Sequence, residues 1–84
     1  MEAAYLKESI VERELDGEFL ILDTEANLIH QLNETASFIW RIYRSGAETE
    51  AVAAALSHEF GLEGDRALED VHATLARLES LNIL

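Results

Sequence analysis

The 84-residue chain contains no cysteine and no proline, and it has only six basic residues against 17 acidic ones. Without cysteine there is no disulfide framework and no thiol chemistry, which fits a reducing compartment. The shortage of Lys and Arg, with a formal net charge of −11, removes the phosphate contacts that supply most nucleic-acid affinity and repels anionic membranes. No apolar run approaches the length of a membrane span. The opening MEAAYLKESIVERE carries acids where a secretory signal needs bases followed by an apolar stretch. The expected location is the cytoplasm.

What remains is the composition of a folded domain: 49% hydrophobic and 27% charged, with one Trp, two Tyr and three Phe. A disordered chain is poorer in aliphatic and aromatic residues. The length suits one domain spanning 1–84 with one core, and residues 1–8 read as a flexible leading segment. Residues 9–15 are weakly strand-like and run into Asp16-Gly17, a hairpin turn dipeptide. EFLILD (18–23) is too short for a core helix and reads as the central strand. LIHQL (28–32) alternates Leu28, His30 and Leu32 against Ile29 and Gln31, the pattern of a half-buried edge strand.

Helical spacing then takes over. Asn33 is a suitable N-cap with Glu34 in the first turn, and Ala36, Ile39, Trp40 and Tyr43 recur at helical intervals, widened by Phe38 and Ile42. Gly46 ends that helix. Thr49 is the expected cap of a second helix with Val52, Leu56 and Phe60 on its buried face, ending at Gly61. Asp65 is the expected cap of a third, whose core stripe is Leu68, Val71, Leu75, Leu78 and Leu81. The order is βββααα: an α+β, winged helix-turn-helix-like fold in which a three-stranded antiparallel sheet is followed by three helices packed on one of its faces.

Catalytic patterns are missing. His58-Glu59 starts like a zinc-protease helix, but position 62 is leucine, and His30, His58 and His72 fall in three different elements. Ser37 and Ser57 lie inside helices without nucleophile-elbow glycines. Adjacent carboxylates such as Glu69-Asp70 point to different sides of a helix. Gly61 and Gly64 have neither the further glycines nor the lysine of a phosphate loop. The third helix, the potential DNA reader, carries Arg66 and Arg77 against Asp65, Glu69, Asp70 and Glu79, so no nucleic-acid partner is expected. The pattern is that of a binding module: no enzyme, no cofactor and no metal.

One stretch is more specific. LNETASFIW (32–40), preceded by Asp16-Gly17 and Leu22-Asp23 and followed by Gly46, Thr49, Glu50, Ala53, Leu56 and a closing LESLNIL, resembles the PqqD-like family, also called RiPP recognition elements. The resemblance runs over about residues 9–84. It implies a domain that binds the leader of a ribosomally made precursor peptide and delivers it to a separate modifying enzyme or leader peptidase. It further implies that the leader adds as a strand to the third strand, in a groove walled by the third helix. The sequence permits that mode on its own terms, because LIHQL has neither the Pro nor the Lys that commonly block strand addition. The candidate peptide-binding residues are Leu28, Ile29, His30, Gln31 and Leu32 on the strand, with Ala67, Val71, Thr74, Leu75 and Leu78 on the helix. The chain stops directly after the third helix, so a stand-alone element, monomeric or weakly dimeric, is expected. A lasso-type or similar pathway is favoured. The alternatives are a peptide chaperone of pyrroloquinoline quinone biosynthesis and a non-catalytic winged-helix interaction subunit.

Overall fold

The computed structural model describes residues 9–81 and residue 83; the expected flexible segment, residues 1–8, lies outside them. Strands β1 (Ile10–Leu15), β2 (Glu18–Asp23) and β3 (Leu28–Gln31) form an antiparallel meander with β2 in the centre, and helices α1 (Glu34–Arg44), α2 (Thr49–Phe60) and α3 (Gly64–Ser80) follow. The βββααα order and the central position of EFLILD agree with the sequence pattern. Asp16 and Gly17 both take positive φ, 53° and 82°, as a two-residue turn matched to strand twist requires. At the other turn the buried Asp23 carboxylate accepts the Glu25 and Ala26 amides, each at 3.1 Å, and Asn27 takes φ 60°.

Two apolar clusters make the core. Ile10, Phe19, Ile21 and Leu32 from the sheet region pack with Ala36 and Trp40 of α1, Leu78 of α3, and Ile83. Ile39 of α1 meets Val52, Ala53 and Leu56 of α2 and Ala67 and Val71 of α3 in the other. Helix α1 therefore serves both layers. No Cα of α2 comes within 8 Å of a strand, so the expectation that all three helices lie on the sheet is corrected: α2 rests on α1 and α3. Its most buried side chains, Val52, Ala53 and Leu56, are spent on those helices.

The helix starts also shift. Asn33 caps α1 as expected, its side chain accepting the Ala36 amide at 2.9 Å, while the Thr35 hydroxyl donates to the same oxygen. The expected caps Thr49 and Asp65 instead lie inside their helices. The carbonyls of Glu48 and Glu63 already accept from Val52 and Ala67, so those glutamates occupy the cap positions without any side-chain cap bond. The buried stripe of α3 is likewise rotated. Ala67, Val71 and Leu78 are fully buried, whereas Leu68, Leu75 and Leu81 are only partly so. Small Ala67 and Ala53 in the inter-helix cluster let the two helices approach on that side.

The junction between β3 and α1 is polar and buried. Ser37, entirely excluded from solvent, accepts the Phe19 amide at 2.9 Å and donates to the Leu32 carbonyl at 3.1 Å. Its hydroxyl thus replaces one hydrogen bond at the end of the β2–β3 ladder while anchoring the first turn of α1. Farther along α1, the Trp40 indole donates to Glu12 at 2.6 Å, Arg44 pairs with the same carboxylate, and Arg41 reaches Glu14 at 2.6 Å.

These contacts set the mutational response. Ser37→Ala leaves a buried amide and a buried carbonyl unbridged and should lose about 1–3 kcal/mol. Trp40→Ala empties a fully buried aromatic site and should lose about 3–5 kcal/mol. Urea unfolding followed by circular dichroism measures both; a Ser37→Ala variant that unfolds at the parent midpoint would contradict the bridging role.

Candidate functional site

Among the described residues the sheet has two free edges, of opposite character. Along β1 the central residues are Glu12, Arg13 and Glu14, and both glutamates are tied to α1. Charged residues on an edge are an established barrier to strand addition. Along β3 the residues are Leu28, Ile29, His30 and Gln31, without formal charge and without proline. Leu28 is 53% exposed and Ile29 69% exposed, which makes them two of the three exposed large apolar side chains among the described residues. The alternation expected in this strand holds at His30 and at fully buried Leu32 but fails at Leu28, which sits at the open end of the sheet beside the Asn27 turn.

The register decides what the β3 edge offers. The Leu32 amide bonds the Phe19 carbonyl at 2.9 Å, and His30 pairs with Ile21 and Leu28 with Asp23. In an antiparallel ladder, hydrogen-bonded and non-hydrogen-bonded pairs alternate. Leu28, His30 and Leu32 therefore turn their backbone groups toward β2. Ile29 and Gln31 present an N–H and a C=O each to the outside. Side chains alternate the other way, so His30 lies on the helix-facing side with Ile21 while Ile29 and Gln31 point to the opposite side.

The candidates on α3 divide. Ala67, Val71 and Leu78 are fully buried in the free chain and form the inner side of α3. Leu32 is buried in the same way and anchors the strand. Thr74 and Leu75 are partly buried, and Leu75 packs against both core clusters. At about 100° per residue, Thr74 lies on the flank of the buried stripe away from Leu68 and Leu75, together with Asp70, Arg77 and Leu81. Of that group, Leu81 packs on the sheet cluster. No Cα of α3 comes within 8 Å of a strand; the helix reaches the sheet through the Leu78 side chain. Of the predicted set, Leu28, Ile29 and Gln31 are exposed, and His30, Thr74 and Leu75 are partly buried.

Ser57 donates to the Leu62 carbonyl, and Ser37 is fully occupied in the fold. The concavity between α2 and α3, about 410 Å³, is lined by Glu50, Ala53, Ala54, Ser57, Gly64 and Leu68 and places no base beside the serine. No group of three or more His, Asp or Glu side chains that could hold a metal occurs among the described residues. No described helix is long and apolar enough to cross a membrane. Two features had no signal in the sequence: the Ser37 bridge, whose partner Phe19 is 18 residues away, and the outward parity of Ile29 and Gln31.

Comparison with known proteins agrees with this fold. Among solved structures, the chain superposes on TbiB1 in complex with the TbiA(beta) leader peptide with a TM-score of 0.86 at 20% identity, covering 100% of this chain and 94% of that one. It superposes on lasso peptide synthetase B1 complexed with the leader peptide with a TM-score of 0.87 at 26% identity, covering 94% of this chain and 93% of that one. No curated protein matches. The profile described as coenzyme PQQ synthesis protein D (PqqD) matches residues 18–84, and the chain belongs to that family.

Proposed function

We propose that the chain is a leader-peptide-binding element, and that a precursor leader adds to β3 as a fourth strand beside α3. The observation that carries this reading is the uncharged β3 edge, where Ile29 and Gln31 present unpaired backbone groups to the outside while the opposite edge is guarded by Glu12, Arg13 and Glu14. Main-chain hydrogen bonds supply affinity in strand addition, and alternate side chains supply selectivity. A role in handing the bound leader to a separate modifying enzyme or leader peptidase, without catalysis by this chain, follows from the same reading. It is supported by the two similar structures, each solved with a leader peptide.

The pathway is proposed to be of the lasso type, because two proteins of this fold were solved with leader peptides and at least one is a lasso peptide synthetase component. The family description favours a second reading, a carrier for the precursor of the quinone cofactor. The ligand separates them. A fluorescein-labelled synthetic leader from the precursor encoded beside this gene should bind saturably in an anisotropy titration, and a quinone-precursor peptide should not. If no peptide encoded nearby binds, the leader-binding function is wrong.

The edge geometry makes a sharper forecast. Ile29→Pro removes only an outward N–H, so the domain should stay folded and bind the leader roughly tenfold more weakly. His30→Pro breaks the ladder to Ile21 and should lose about 1–3 kcal/mol of stability for the carbonyl left unpaired. Thermal melts paired with the anisotropy titration measure both variants. A folded Ile29→Pro that binds as tightly as the parent would move the groove away from β3.

A further inference from the structure

The inner face of β3 carries one polar side chain between two leucines. His30 lies beside fully buried Ile21, and its Nε2 is shut off from solvent with no hydrogen-bond partner among the described residues. A buried polar atom left unpaired is costly, and a ligand that completes its bond recovers that cost on binding. The backbone of His30 is committed to β2, which puts it at a non-hydrogen-bonded position relative to an added antiparallel strand. Such positions bring facing residues closest together, with Cα atoms about 4.5 Å apart and both side chains on the same side of the sheet. The added residue opposite His30 therefore points to the helix side and lies against the imidazole.

We infer that His30 is a specificity-determining residue, selecting a hydroxyl or carboxamide side chain at the peptide position that faces it. This rests on the strand-addition reading and extends it to one position of the ligand. Either ring tautomer can be served by Ser, Thr, Tyr, Asn or Gln, since each both donates and accepts. A carboxylate is disfavoured by the net charge of −11. An aliphatic residue there would leave Nε2 unpaired, as it is in the free chain.

The test uses the full chain and a displayed library of random 12-residue peptides. Peptides enriched on the parent should share one position rich in Ser, Thr, Tyr, Asn or Gln. Replacing that residue by Val in a synthetic copy should weaken binding to the parent about tenfold, the usual effect of leaving a buried polar group unpaired. Against His30→Leu, which removes the polar atom, the two copies should bind within about twofold of each other, as a double-mutant cycle requires of a direct contact. Where His30→Leu fails to melt cooperatively, His30→Val serves the same purpose with a strand-favouring side chain. A variant that keeps the parent's preference overturns the role of His30 and leaves strand addition standing. Enrichment of no peptide by the parent overturns strand addition itself, and the role of His30 with it.

Discussion

A single buried hydroxyl holds the fold's layers in register. Ser37 takes the Phe19 amide and gives to the Leu32 carbonyl, so the last pair of the β2–β3 ladder closes through the first turn of α1. The position is crowded with consequences because Asn33 caps the same turn, Thr35 holds Asn33, and Ala36 lets the helix lie on the sheet. Sheet and helix cannot slide against each other without unpairing buried polar groups, which is what fixes the parity of β3. From that parity come the outward N–H groups of Ile29 and Gln31 and the inward imidazole of His30.

The two edges of the sheet are managed differently, and charge explains how. Glu12 and Glu14 sit on the helix-facing side of β1, where Trp40, Arg41 and Arg44 satisfy them, and the guanidinium groups of Arg41 and Arg44 lie over the rings of Phe19 and Trp40 at 5.5 and 5.9 Å. This spends three of α1's polar side chains on closing one edge. Among the described residues the opposite edge has no such fastening to α1. With 17 acidic residues in the chain, repulsion between copies opposes self-association through the open edge while leaving it available to a less acidic strand.

Much of this was legible before the structure. Binary pattern and turn residues gave the six elements in order, and the Leu-Asn-x-Thr-Ala step gave the start of α1, because those signals are local. The errors came where local signals are weak or absent. Ala67 reads as neutral in a hydrophobic pattern, so the expected core stripe of α3 holds Val71 and Leu78 correctly but has partly buried Leu68 where the structure buries Ala67. Glu48 and Glu63 act as caps through their backbone alone, and the side-chain pattern pointed to Thr49 and Asp65 instead. The role of Ser37 depends on Phe19, 18 residues away, and the orientation of the Ile29 backbone depends on its register against Leu22, which no local pattern specifies.

The central claim, a strand added to β3, is tested most directly by residue-resolved amide hydrogen exchange with and without a bound leader peptide. In the free chain the His30 and Leu32 amides, bonded within the sheet, should exchange slowly, and those of Ile29 and Gln31 should exchange quickly. Saturation with leader should slow Ile29 and Gln31 strongly and leave the β1 edge amides of Glu12 and Glu14 unchanged. A leader that binds while Ile29 and Gln31 continue to exchange at their free rates would contradict the account.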